Sequence, residues 1–503
     1  MTRLSKFPAK IALSFCTLFC LWPCFAFSDD VDTAWVRRYN GPGNGDDKAV
    51  AIAVDSSGNV YVTGSSFDST TGYDYCTIKY LPNGDTGWVR RYDGPGRPDG
   101  LEGQNDFAVA LASDKEGNVY VTGTAATPLC LGGYGSSDIV TIKYLPNGET
   151  GWVRSTSAPF CDRADLSALG LAMDSRSNLY IAGQGFHPLY GWYGFALKYD
   201  SAGNDIWGAS RWFSEPSNVL SPIAVNSTGS NVCIIDYDGI FKYDSLGNEV
   251  WAESFPARSR SVAVDNNGNT FVVGADDSNF VVIKYDPSGD SLWVRRSNSR
   301  SEEWQGASFV AADKQNNIYV VGNYASIPDD VAWTATKYDS MGNQFWYRAY
   351  RGINFGQLRE PRAMVLDTTG NLYVTGYDAW FAATLKYDPQ GNLRWEKKFG
   401  DANHPAEMRG IGIDQKGNVF VAGFSQSDFL TIKYSPLPQL KGDLNLDGVL
   451  GLQDVIYAVN YTFMGELPPA APSACDINCD VKITPADVVV LLLMVFAEIP
   501  APC

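Results

Sequence analysis

Apolar and polar residues alternate along most of this chain in short runs bounded by Gly, Asn, Asp and Pro. That spacing predicts half-buried β-strands joined by tight turns. One run recurs with its turn attached. It reads DSSGNVYVTG from Asp55, DKEGNVYVTG from Asp114 and DSRSNLYIAG from Asp174, with a worn copy, NSTGSNVCII, from Asn226. It continues as DNNGNTFVVG from Asp265, DKQNNIYVVG from Asp313, DTTGNLYVTG from Asp367 and DQKGNVFVAG from Asp414, eight copies in all. A second phrase interleaves with the first: Lys-Tyr, a short Pro/Gly/Asn turn, then Trp, as in KYLPNGDTGW at Lys79 and KYDPQGNLRW at Lys386. Lys-Tyr ends at Tyr80, Tyr144, Tyr199, Tyr243, Tyr285, Tyr338, Tyr387 and Tyr434. The matching tryptophans are Trp35, Trp88, Trp152, Trp207, Trp251, Trp293, Trp346 and Trp395.

Each unit therefore holds four strands: one ending at the Asp, the YVTG-like run, the Lys-Tyr run and the Trp run. Four-stranded units repeating every ~40–60 residues, with no helical segment between them, predict an all-β propeller. The order of the phrases adds a constraint. The first strand after the leader is of the Trp type, Trp35 to Tyr39, and the last is of the Lys-Tyr type, ending at Tyr434. The eighth blade thus lacks its outermost strand. We expect the N-terminal strand to supply it by pairing beside Phe429–Tyr434, which closes the ring and removes its free edges. The phrase D-x-x-G-N-x-Y-V-x-G, with Lys-Tyr and Trp at fixed offsets, resembles the bacterial SBBP-type beta-propeller repeat, in a style close to NHL repeats, over about residues 35–434. The resemblance implies a scaffold and no defined activity.

After Tyr434 the pattern changes. A Pro-containing linker, residues 435–441, leads into Asp443, Asn445, Asp447, Gly448 and Asp454 at loop positions 1, 3, 5, 6 and 12, with the Val449 carbonyl at position 7. Oxygen ligands at that spacing wrap a calcium ion. A second copy offers Asp476, Asn478, Asp480 and Asp487, with the Lys482 carbonyl. Each loop runs into an apolar helical stretch, Val455 to Phe463 and Ala486 to Ala497. Two such loop–helix units resemble the type I dockerin module over about residues 442–503, which implies two Ca2+ sites and a cohesin-type protein partner. In that family the residues just before position 12 touch the partner; here these are Leu452, Gln453, Pro485 and Ala486. Val481 stands where the family has Gly, so the second loop is expected to bind calcium more weakly. Cys503 could tie the end of the module to Cys475 or Cys479.

The N-terminus reads as a signal peptide, residues 1–28, cleaved near 26–28: Arg3, Lys6 and Lys10 precede an uncharged run from Ile11 to Phe27. This predicts a secreted or cell-surface protein with no membrane span. Removing the leader's three basic residues takes the formal charge of −17 to about −20, which disfavours nucleic acid and anionic membrane. Seven of the ten cysteines remain after the leader, and export favours a few disulfides plus one odd thiol. The repeated Asp and Asn residues read as turn residues, and the eight Trp and their Tyr partners as packing between blades.

Departures from the repeat are better binding candidates: Ser65–Tyr75, Thr124–Ser137 and Gln184–Gly194, the last with His187, Tyr190, Trp192 and Tyr193. With His187 and His404 the only histidines, no catalytic residue is singled out. The expectation is a non-catalytic scaffold for a glycan or protein ligand, docked through the tail. The alternative is a carbohydrate-active enzyme, a glycoside hydrolase in polysaccharide catabolism, with the propeller as catalytic domain.

Overall fold

A computed structural model describes residues 31–95, 105–127, 136–156, 165–187, 191–213, 222–236, 239–276, 279–297, 303–326, 330–352, 359–436, 451–464 and 484–497. Each repeat forms one antiparallel four-stranded blade. Blade 1 runs Asp47–Val54, Val60–Asp68, Gly72–Tyr80 and Thr86–Tyr92. The same order builds blades 2 to 7 at 107–156, 165–213, 223–254, 258–296, 303–350 and 359–399. The worn fourth repeat still makes a blade, though its first strand shrinks to Ile223–Val225.

Blade 8 takes Ala406–Ile413, Val419–Ser425 and Asp428–Pro436 from the end of the propeller and Val31–Tyr39 from its beginning. Trp35 pairs with Lys433 and Tyr39 with Phe429, so the expected three-plus-one closure is present. The ladder also reaches further than the sequence reading placed it: Val31 pairs with Pro436 and Asp32 with Ser435. The first two residues of the expected linker thus belong to the closing strand.

Local geometry explains the phrases. In the first turn, Asp55 Oδ1 accepts the Ser57 and Asn59 amides at 2.9 Å each. Its Oδ2 accepts the Asn59 side-chain amide at 2.8 Å and the Tyr61 hydroxyl at 3.0 Å. The repeated Asp and Asn are turn residues, as read. The Gly ending each VTG run has a different cause. The first strand of blade 1 bulges between Ala49 and Ala51, which brings the Lys48 carbonyl to 2.0 Å from where a Gly64 Cβ would sit. Only a residue without Cβ fits there.

The hydrophobic cores lie between blades rather than within them. Trp35, Phe420, Ala422 and Phe429 of blade 8 cluster with Ala49, Val62, Ile78 and Tyr80 of blade 1. All eight tryptophans pack on the Lys-Tyr tyrosine of the next blade, with ring centroids from 5.6 Å (Trp251–Tyr285) to 6.4 Å (Trp152–Tyr199). Trp35–Tyr80 closes the circle at 5.9 Å. Polar bonds reinforce the contact. The Trp35 indole N–H and the Lys433 ammonium both donate to the Pro82 carbonyl of blade 1, at 3.3 and 3.0 Å, and Arg37 Nε donates to the Gly84 carbonyl at 2.6 Å. Trp88, Lys79 and Arg90 repeat this on Pro146 and Gly148.

In the tail, helix α1 (Leu452–Val459) continues into a π-helical turn (Asn460–Met464), and helix α2 spans Pro485–Ala497. Val455 and Ala458 of α1 pack on Val488 and Leu491 of α2. Among the described residues, no helix is long and apolar enough to cross a membrane.

The cysteines correct one expectation. Cys76 and Cys233 are free and buried in blades 1 and 4, so neither joins the expected disulfides; Cys130, Cys161, Cys475, Cys479 and Cys503 lie outside the described residues. Burial pushes the Cys76 thiol up to about 12 and the Cys233 thiol up to about 11.

Two outcomes are expected. Trp35→Ala should destabilise the chain by about 3–5 kcal/mol, because it removes a ring packed in the closing interface. Trp212→Ala, on a half-exposed ring, should cost under about 1 kcal/mol; chemical denaturation compares the two, and equal losses would refute the closure argument. Cys76 and Cys233 should resist a thiol-specific disulfide reagent at pH 8 in the native chain and react once it is unfolded, since the thiolate is the nucleophile. Peptide mapping of native labelling checks this.

Candidate functional site

Up-and-down strands give the propeller two faces. At one lie the Asp-x-x-Gly-Asn turns and the turns between third and fourth strands. At the other, first and third strands begin and second and fourth strands end. The turns of the first face are committed to neighbouring blades, as with Pro82 and Gly84, or as with Gly117, whose carbonyl lies 3.3 Å from the Tyr61 hydroxyl. The candidate ligand residues gather at the second face.

Blade 3 carries the aromatic hairpin. Its second strand, Leu179–His187, and third strand, Gly191–Tyr199, pair residue for residue, with Phe186 opposite Trp192 and His187 opposite Gly191. The sequence reading put the aromatic cluster in a loop; His187, Trp192 and Tyr193 instead stand on paired strands, and Tyr190 lies outside the described residues. The fourth strand adds Trp212, directly opposite Tyr193.

Strand alternation sorts these side chains onto two surfaces. Phe186 and Trp192 pack with tilted rings on one, at 5.0 Å. On the other, Tyr193 meets Trp212 at 5.1 Å and Phe195 at 6.2 Å, and His187 approaches Trp212 edge-on at 6.1 Å. Two glycines let the rings lie flat. A Cβ on Gly183 would stand 2.4 Å from the Phe195 ring, and one on Gly185 would stand 2.5 Å from the Tyr193 ring. Tyr193 is buried, which raises its phenol pKa, and His187 is buried too; Trp212 keeps 48% of its surface exposed.

Below this second surface runs a groove of about 300 Å3, between blade 3 and the edge of blade 2. Its walls are Thr156, Leu166, Tyr193, Phe195, Leu197, Gly208, Ala209 and Ser210. None of these carries a charge. Rings, the hydroxyls of Thr156, Tyr193 and Ser210, and a floor of small residues suit a neutral ligand with an apolar face and a hydroxylated rim, at the lower end of ligand-pocket size. Trp212 was missed from sequence, although a signal existed. Setting aside the eight repeat tryptophans and the leader's Trp22 leaves five, four of which fall in pairs within one repeat: Trp192 with Trp212, and Trp304 with Trp333. Trp212 lies five residues after Trp207, so it faces the opposite way along the strand.

Of the other departures, Ser65–Tyr75 forms a regular hairpin, with strands to Asp68 and from Gly72. The Thr124–Ser137 segment is described only to Thr127 and from Ser136.

Of the ten expected calcium ligands, Asp443, Asn445, Asp447, Val449, Asp476, Asn478, Asp480 and Lys482 lie outside the described residues. Asp454 and Asp487 are described, and both are buried. Each sits at the third position of its helix and turns back toward the loop before it. Asp454 Oδ2 accepts the Gly451 amide at 2.9 Å, and Asp487 Oδ2 accepts the Thr484 amide at 2.8 Å. That equivalence gives the two helix starts the same capping geometry.

The family model described as "SBBP: Beta-propeller repeat" matches residues 34–66. No curated protein matches the chain. Solved structures that resemble it include BamB from Moraxella catarrhalis, with TM-score 0.47, 12% identity, and 81% of this chain and 100% of that one covered. A Lactobacillus plantarum protein gives 0.43, 13%, 68% and 95%. The Pan2 WD40 domain of Neurospora crassa gives 0.33, 11%, 54% and 90%.

Proposed function

We propose that this SBBP-type propeller is an exported, non-catalytic binding scaffold that holds a neutral glycan in the groove of blade 3 and is docked to a cohesin-type partner by its calcium-loop tail. The observation that supports the first half is the aromatic groove itself: Tyr193 and Phe195 lie flat over glycines in walls that carry no charge, and the half-exposed Trp212 packs on Tyr193 beside it. The apolar face of a sugar ring packs on such rings, while its hydroxyls reach Thr156 and Ser210. The leader pattern and the acidic charge support export and argue against nucleic acid.

The docking half rests on the duplicated ligand spacing and on the matched roles of Asp454 and Asp487. When bound, Ca2+ would be held by the carboxylates and carbonyls of each loop and would order the two helix starts. It would supply structure rather than chemistry. The apolar helices α1 and α2 would then present Leu452 (56% exposed) and its neighbours to a partner.

Two outcomes test these halves separately. In affinity electrophoresis against a panel of neutral and acidic polysaccharides, the chain should be retarded by a neutral one. Trp212→Ala should weaken that binding by about tenfold or more, with the melting temperature kept. Gly208→Leu should block it as well, because a Cβ there meets only ordinary contacts, the nearest being Leu197 at 3.4 Å. Equal mobility on every polysaccharide would refute glycan binding. For the tail, pull-down of a partner should need calcium and fail with chelator. Asp443→Ala should weaken calcium binding more than Asp476→Ala, as Val481 already compromises the second loop; equal losses in calorimetry would refute that ranking.

A further inference from the structure

The junction of blades 1 and 2 brings together three carboxylates from distant parts of two repeats. Asp74 stands near the start of a third strand, Asp93 just past the end of a fourth, and Asp106 just before the next blade's first strand. One oxygen of each lies within 4.8 Å of one oxygen of both others. Two oxygens that share a calcium ion, each about 2.4 Å from it, can be no further apart than about 4.8 Å. Asp74 and Asp106 are 3% and 1% exposed, and Asp93 closes the cluster on the solvent side.

Among the described residues, protein partners do not balance this charge. Arg91 bonds Asp74 Oδ2 at 2.7 Å, with the Thr71 hydroxyl at 2.9 Å. Backbone amides of Ala126 and Gly94 reach the two Asp106 oxygens at 2.8 and 2.5 Å. Asp74 Oδ1 is buried and accepts no hydrogen bond. A buried carboxylate oxygen without a hydrogen bond is costly, and a cation beside it would offset that cost. Three carboxylates against one guanidinium leave the cluster two negative charges in excess. Burial is the main reason that Asp106 is pushed up to about 6, and Asp93 and Asp74 push the same way.

Two sister junctions in the same ring serve as controls. Between blades 6 and 7, Arg359 takes the place of Asp106 and Ala332 that of Asp74, so the acid trio is absent there; Arg359 pairs within its own blade with Asp378 at 2.6 Å, which Lys398 also bonds at 3.1 Å. Between blades 8 and 1, Asp428 and Asp47 stand where Asp74 and Asp106 do, Arg38 stands for Arg91, and Asn40 replaces Asp93. Only the junction of blades 1 and 2 keeps all three acids among the described residues.

We propose that Asp74, Asp93 and Asp106 bind a divalent, oxygen-seeking cation of the calcium type, which neutralises the junction and fastens blade 1 to blade 2 at the ligand-bearing face. The site is independent of the tail loops and of the groove in blade 3. The test uses the full-length chain carrying Asp443→Ala and Asp476→Ala, which lowers the contribution of the tail. Terbium(III) is titrated by tyrosine-sensitised luminescence, with Tyr73 and Tyr92 beside the acids as antennae, and calcium is added as competitor. One saturable site displaced by calcium is expected, and Asp93→Asn should weaken it by about tenfold or more through loss of a charged ligand. That variant should keep its metal-free melting temperature, because the sister junction carries Asn40 at the same place. Absence of a saturable site, or an affinity unchanged by Asp93→Asn, would overturn the proposal.

Discussion

Seven of the eight blade interfaces turn on one shared acceptor. A single backbone carbonyl in the turn of the next blade receives both the indole N–H of a Trp and the ammonium of a Lys, while the Trp ring lies on a Tyr beside that turn. Pro82, Pro146, Ser201, Ser245, Pro287, Ser340 and Pro389 each play this part. A bond from a charged donor is worth about 1.5–3 kcal/mol, more than a neutral one. Here it also positions the ring that seals the interface from water. The Lys therefore keeps its place in a half-buried site, although burial lowers the pKa of Lys198, Lys242, Lys337 and Lys433. The charge is accepted because the turn carbonyl is fixed and points at it.

The latch has a third member, and its absence carries meaning. Arg37, Arg90, Arg154, Arg295 and Arg348 each add a bond at 2.6 Å to the glycine carbonyl of the neighbouring turn. In blade 3 the same place, two residues after Trp207, holds Ala209, and Ala209 lines the groove. Blade 4 gives up the arginine as well, with Glu253 in that position, and is also the blade with the shortest first strand. Blade 7 holds Lys397 there, so three blades depart from the arginine, and the binding candidate lies in one of them.

What could be read from sequence followed from how far apart its causes lie. The blade count, the closing strand and the packing role of Trp and Tyr were legible because each cause repeats eight times at a fixed offset. The role of the glycine after Val-Thr was not. It answers to a bulge in the preceding strand, and no local turn requires it. Trp212 was overlooked because its partner, Tyr193, meets it only through strand register. The acidic cluster was beyond reach for the same reason, since Asp74, Asp93 and Asp106 read singly as ordinary polar residues near turns. The free state of Cys76 and Cys233 could not be inferred from cysteine number or export; it follows from the walls of two separate interblade cores.

These facts divide the ring into two halves with different freedoms. At one face, each turn supplies a carbonyl, an Asp or a glycine that a neighbouring blade uses, so a change there is felt across an interface. At the other face, strands end without such duties, and junctions can differ from one another at small cost to closure. The three junctions compared above hold an acid trio, an acid pair with an amide, and an Arg–Asp ion pair on the same backbone frame. Blade 3 spends the same freedom on aromatic rings. A closed ring makes this possible. Because each blade is packed between two neighbours and the latch is repeated at seven interfaces, one junction can tolerate an uncompensated charge or an open groove that would loosen an isolated sheet. Function in this molecule is thus expected wherever the repeat is least faithful, on the face that the latch leaves alone.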